Sequence, residues 1–180
     1  MISEPCIDEI LGFWFGLVKE RWFKADPDLD ARVREQFLEV WETQRGSPAE
    51  SFLHSARESL AAVVLFDQMP RNMFRGHADQ FSTDLLGLSV AKQAIARGFD
   101  EQLSETERGI LYMPFQHSEE LADQQRSLLL FGSLSDDFQL SFARKHHDVI
   151  ERFGRFPHRN AILGRTPRPD EIAAGDVVPW

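Results

Sequence analysis

The chain has 180 residues, 42% of them apolar, which is enough for a core, and its net charge of −9 argues against nucleic acid as a general partner because phosphate neutralisation dominates that affinity. Fifteen Phe and four Trp against one Tyr predict a core built on large apolar rings. The lone Cys6 excludes an intrachain disulfide and a multi-cysteine metal site, and no apolar run reaches the length of a membrane span. The N-terminus lacks the basic start and apolar stretch of a signal peptide, so the expected location is the cytoplasm. The size predicts one domain over 1–165, followed by a proline-rich tail over 166–180.

In chain order the pattern is helix after helix. Ile7 to Phe15 reads as a short aromatic helix ending near Gly16, followed by Trp22-Phe23 as an apolar anchor. Pro27 opens a second helix carrying Val33, Phe37, Val40 and Trp41 at helical spacing and stopping at Gly46. Ser47-Pro48-Ala-Glu50 reads as a capping box that starts a third helix, running to about Gln68 and stopping before Pro70. A polar loop is expected over Met69 to Gly76. A fourth helix is expected from Asp79 to Arg97, closed by Gly98. Ser104-Glu-Thr-Glu107 opens a fifth that ends before Pro114. His117 caps a sixth, which stops at Gly132. Ser135 caps a seventh, which carries Phe138, Phe142, Val149, Ile150 and Phe153 and ends at Gly154. The tail reads as extended, with one turn near Asp170. No strand alternation competes, so the expectation is an all-α fold of about seven helices in antiparallel pairs.

Polar residues interrupt the apolar stripes of four of these helices. At about 100° per residue, Asp67 falls among Phe52, Ala56, Leu60, Val63 and Val64, and Asp84 falls among Phe81, Leu85, Leu88, Ala91 and Ile95. Gln125 sits between Leu121 and Leu128-Leu129, and His146 sits among Phe142, Val149 and Ile150. A buried carboxylate needs a cation or donors. The loops supply Arg71, Arg75, Arg155, Arg159 and Arg165, a type whose fork meets a carboxylate with two hydrogen bonds. From Arg144 to Arg168 there are seven Lys/Arg and two Asp/Glu, so this end of an acidic chain is cationic.

Several segments together resemble the bacterial family known as domain of unknown function 924. They are Phe13-Trp-Phe15, Trp22-Phe23, Asp67-Gln-Met-Pro-Arg-Asn-Met-Phe-Arg-Gly76, Tyr112-Met-Pro-Phe-Gln-His-Ser-Glu119, and Arg152 through Arg165. The resemblance spans nearly the whole chain and implies a tetratricopeptide-like helical array. It brings no reaction with it. Met69 and the proline-rich stretch after Arg165 depart from the family's pattern.

Two functional expectations follow. In the first, the 69–76, 114–119 and 154–165 loops meet in an arginine-lined pocket for a small anionic ligand. Arg71, Arg75, His117, Arg155, His158 and Arg159 are its contact groups. Asp67, Asp84, Glu119, Gln125, His146, Asn72, Asn160 and Arg165 hold them in place. In the second, the Asp/Arg/His cluster is a fastener, and the helical array binds a partner peptide through exposed aromatics among Trp14, Trp22, Trp41 and Trp180. No phosphate loop, dinucleotide fingerprint or zinc pair is present, so no cofactor or metal is expected. Ser118 lies in no nucleophile elbow, and His146 on an apolar face reads first as a core histidine, so no reaction is assigned.

Overall fold

Each regular element of the protein is helical among the described residues, which in this computed structural model are 2–22 and 25–178. The α-helices are α1 (Glu4–Phe15), α2 (Pro27–Gln44), α3 (Ala56–Val63), α4 (Met69–Met73), α5 (Asp84–Ala96), α6 (Glu105–His117), α7 (Leu121–Gly132), α8 (Asp137–Phe153) and α9 (Pro169–Ala174). The chain divides into two compact units, residues 1–111 and 112–180. No helix among the described residues is long and apolar enough to cross a membrane.

The first unit packs α3 on α5, α2 on α4 and α1 on α3. Asp26 starts α2 by accepting the Leu29 amide at 3.0 Å, with Pro27 in the first turn. Leu29, Val33, Phe37 and Trp41 then recur every four residues and are buried. Trp14 and Trp41 are each 1% exposed, which removes them as contact aromatics and makes them core. Phe23 and Trp180 lie outside the described residues.

The third helix departs from expectation in an instructive way. Ala49–Phe52 is only a 3-10 turn, and α3 starts at Ser55, whose side chain accepts the Glu58 amide at 3.0 Å. The chain does not stop before Pro70. A π-helical turn, Val64–Gln68, follows α3, the Met69 amide reaches back to the Val64 carbonyl, and α4 continues directly with Pro70 in its first turn. Pro70 cannot donate to the Phe66 carbonyl four residues earlier. The Thr83 hydroxyl donates to that oxygen instead, at 2.6 Å, and itself accepts from the Trp41 indole at 3.2 Å. The expected 69–76 loop is therefore largely helix.

The boundary between the units falls within α6, which Ser104 and Glu107 start with a reciprocal capping box. This helix also runs through its proline, Pro114, to His117. His117 thus ends α6, and the N-cap position of α7 is Glu120.

In the second unit α7 packs on α8. The buried face of α7 is Asp123, Gln124, Ser127, Leu130 and Phe131, not the expected leucine stripe. The Gln124 amide explains the rotation. It donates to the carbonyls of Gln116 (2.8 Å), Ser118 (2.7 Å) and Phe115 (3.3 Å), satisfying the open end of α6. Gln125 consequently faces outward. Asp136, not Ser135, caps α8 by accepting the Gln139 amide at 3.1 Å. Gly154 ends α8 in the left-handed region, φ 65°. Val149, Ile150, Phe153 and Phe156 form the local core, covered by Ala174 and Val177, so the tail is packed as well as turned.

Candidate functional site

The predicted polar residues gather in two clusters, one in each unit. In the first unit the π-helical turn buries Asp67 completely. The Gln68 amide donates to the Asp67 carboxylate at 2.5 Å. Arg71, one helical turn on, donates to the Asp67 carbonyl, stands 3.8 Å from its carboxylate and grips Asp84 with two bonds of 3.0 and 3.1 Å. Burial pulls the Arg71 pKa down most strongly, but Asp84 and Asp67 outweigh it and leave the group raised. Asp30, on the first turn of α2, accepts Asn72 at 2.8 Å and Arg75 at 2.6 and 2.9 Å. Sequence reading overlooked Asp30, because an acid in a first turn looks like ordinary dipole compensation.

The second unit holds its arginines with two glutamates. Glu119, in the α6–α7 connection, accepts the Phe156 amide at 2.7 Å and Arg165 at 2.7 and 3.0 Å. Burial alone would raise the Glu119 pKa, but hydrogen bonds from Arg165 and the Phe156 amide hold it below the usual carboxylate range. Arg165 also donates to Asn160 at 3.0 Å and to the Phe156 carbonyl at 2.9 Å. Glu171 of α9 is the group the sequence reading missed. It accepts Arg155 at 2.5 and 2.8 Å, Asn160 at 2.9 Å and the Arg168 amide at 2.7 Å. The Arg155 hydrogen bond is the main reason its pKa falls to about 2. The available signal was Pro169-Asp-Glu171, an N-terminal helix pattern inside what read as a tail.

Phe156, fully buried, is the centre of the remaining groups. The Arg159 guanidinium, on a residue 7% exposed, stacks 4.5 Å from the Phe156 ring centroid. His158 lies 5.5 Å and His146 5.6 Å from the same ring, and His117 lies 6.4 Å from His146, centroid to centroid. His146 donates its Nδ1 proton to the Phe142 carbonyl at 2.8 Å, which makes Nε2 the acceptor of the neutral ring. Burial is the main reason its pKa falls to about 3; His117, Arg159 and His158 push the same way. His158 falls to about 4, again mainly through burial, with Arg159 next. Both imidazoles are uncharged near neutral pH.

Other features are weaker candidates. His147, Asp148 and Glu151 bring three ligand atoms within 4.8 Å on α8, as exposed acidic groups commonly do without an ion. A shallow groove on α2, lined by Ala31, Arg34, Glu35, Leu38, Glu39 and Glu42, contains none of the predicted residues.

These features define an all-helical protein whose loops and helix ends are held by carboxylate–arginine pairs ranging from buried to partly exposed, one set accompanied by neutral histidines. The chain matches the family of bacterial proteins of unknown function designated DUF924 over residues 10–174 and belongs to that family. It is also similar to the solved structure of a protein of unknown function from Agrobacterium tumefaciens, at 38% identity and a TM-score of 0.88, over 94% of this chain and 96% of that one. No curated protein matches it.

Proposed function

We propose that the second unit binds a small anionic ligand that also carries a proton donor, such as a hydrogen phosphate or a hydroxycarboxylate. The observation that carries this reading is His146. Its Nδ1 proton is spent on Phe142, and burial keeps the ring neutral, so Nε2 offers a lone pair. Arg159 supplies the positive charge, and His158, on the Phe156 ring, and His117, beside His146, complete the contact set. Arg71, Arg75, Arg155 and Arg165 are engaged by Asp84, Asp30, Glu171 and Glu119, and in this reading they fasten the structure. Asn160 and Glu119 orient the loop that carries Arg159. Those same pairings favour the second reading, a helical interaction scaffold whose polar cluster is purely a fastener.

A thermal-shift series at neutral pH separates the two. Hydrogen phosphate or a hydroxycarboxylate should raise Tm more than sulfate, which at that pH has no proton to donate to His146. A ligand at a hundred times its Kd adds about 2.7 kcal/mol. His158→Gln, at a half-buried position, should keep the unliganded Tm and lose most of the shift. If no anion moves Tm, the ligand reading fails and the fastener reading stands.

A further inference from the structure

The C-terminal segment buries little of itself. Among its described residues, 166–178, Glu171 is the one buried residue, and Ala174 and Val177 are half-buried against Val149, Ile150, Phe153 and Phe156. Ile172, on the same helix, is 68% exposed. A helix as short as the six-residue α9 is not stable alone in water, so its order comes from its contacts. Those contacts converge on Glu171. Its carboxylate accepts the Arg168 amide, which starts α9, and the side chains of Arg155 and Asn160, which belong to the loop after α8. Two further bonds flank it. Arg155 donates to the Thr166 carbonyl at 2.9 Å, and Arg168 donates at 2.9 Å to the Phe153 carbonyl, at the end of α8.

Asn160 is where this segment meets the groups around Phe156. Its amide nitrogen donates to Glu171 at 2.9 Å and its amide oxygen accepts Arg165 at 3.0 Å, so both ends of a buried side chain are held. Its backbone amide closes the 3-10 turn Pro157–Arg159 by donating to the Pro157 carbonyl at 3.0 Å. That turn carries His158 and Arg159. The loop is thus held from two sides. Glu119 holds it from the α6–α7 connection, through Arg165 and the Phe156 amide. Glu171 holds it from the tail, through Arg155 and Asn160. Without Glu171 the first anchor remains, but Arg155 and Asn160 lose an acceptor and the turn loses its second anchor. A segment with so little buried apolar area opens locally far more readily than the domain unfolds. We infer that residues 166–177 form a strap over the loop after α8, that Glu171 is its latch, and that the closed strap positions Arg159 and His158 for the anion. The coupling to binding rests on the ligand reading above; the strap itself does not. Reciprocity then requires an anion bound at the turn to hold the strap closed.

Hydrogen exchange, together with calorimetric titration of inorganic phosphate and malate at neutral pH, tests this on the full chain. In Glu171→Gln the amides of 170–175 should exchange at least about tenfold faster than in the wild type, while those of α7 and α8 keep their wild-type rates. Well below its Tm, the same variant should bind the anion at least about tenfold more weakly. In the wild type, the bound anion should slow exchange of those tail amides. Asp170→Asn, an exposed neighbour on α9, should change neither exchange nor binding. A tail that exchanges no faster in Glu171→Gln overturns the strap. Equal acceleration of the α7 and α8 amides also overturns it, because Glu171 would then fasten the whole unit. A wild type that binds neither phosphate nor malate overturns the ligand reading and the coupling together. Equal anion affinity in the wild type and in Glu171→Gln, with the variant's tail shown open by exchange, overturns the coupling alone and leaves the ligand reading standing.

Discussion

The arginine clusters of the two units use the same residue type for different ends. In the first unit Arg71 is clamped between Asp67 and Asp84, and Arg75 lies on Asp30. Asp30, Asp67, Arg71 and Asp84 are anchored on helices or the π-helical turn, and Arg75 sits in the turn just after α4. In the second unit Glu119 and Glu171 hold Arg165 and Arg155, while Arg159 shares the Phe156 ring with imidazoles that burial has made neutral. The first arrangement is a closed ionic clamp. The second places neutral imidazoles, able to accept a hydrogen bond, beside a fixed positive charge, and this is the difference on which the proposed ligand site rests.

The comparison can be broken most directly at Arg71. Arg71→Ala leaves Asp67 fully buried beside Asp84 without its cation, and should cost about 3–5 kcal/mol in denaturant unfolding. A loss below 1 kcal/mol would mean that the first cluster is no clamp. Gly87→Ala tests how tightly that clamp is packed. A Cβ at Gly87 would stand 3.1 Å from Asp67 Cβ, against the buried π-helical turn. The usual gain of Ala over Gly inside a helix should be reversed, with a net loss of about 1–3 kcal/mol. An increase in Tm would show that the turn yields.

The second cluster should announce itself through pH. The unfolded chain protonates His146 as pH falls through 6.5, but the folded ring resists until about 3. Stability is therefore lost as pH falls across that window, at up to about 1.4 kcal/mol per pH unit for each such histidine. His158, lowered to about 4, adds to the slope in the upper part of the same window. Glu171 acts in the same direction further down, because its contribution is present above the ordinary 4.5 and lost as pH falls towards about 2. His146→Gln should flatten the dependence of Tm on pH between about 6.5 and 3, whereas Arg75→Gln should shift the curve without changing its slope. Equal slopes for the wild type and His146→Gln would remove the distinction between the clusters. The smallest effect is expected at the cap of α8, where Asp136→Ala should cost about 1 kcal/mol, measurable in denaturant unfolding.

Much of this protein was legible in the order of its residues. The starts of α2 at Pro27 and of α6 at Ser104, and the end of α8 at Gly154, follow from backbone sterics and capping within a few residues. The inward placement of Asp67 and His146 followed from helical periodicity, because α3 with its π-helical turn, and the later half of α8, bury one continuous face. The same periodicity failed on α7. Leu121 and Leu129, 40% and 67% exposed, look like a core stripe, yet the helix turns Gln124 and Asp123 inward instead. Periodicity records hydrophobicity, and it does not register three carbonyls at the end of a neighbouring helix that need a donor.

Pro70 and Pro114 mark the same limit. Each normally ends a helix, yet both lie inside helical runs. For Pro70 the remedy is a hydroxyl seventeen residues past the carbonyl it satisfies. The choice of ionic partners was likewise hidden. Arg75 takes Asp30 across 45 positions and Arg155 takes Glu171 across 16. The sequence by itself determined that this is an all-helical chain with acids turned inward, because helix signals and burial patterns are local. Only the tertiary structure decided which carboxylates Arg71, Arg75, Arg155 and Arg165 meet, which face of α7 is buried and which arginine stands beside the histidines, because those depend on groups brought together by packing.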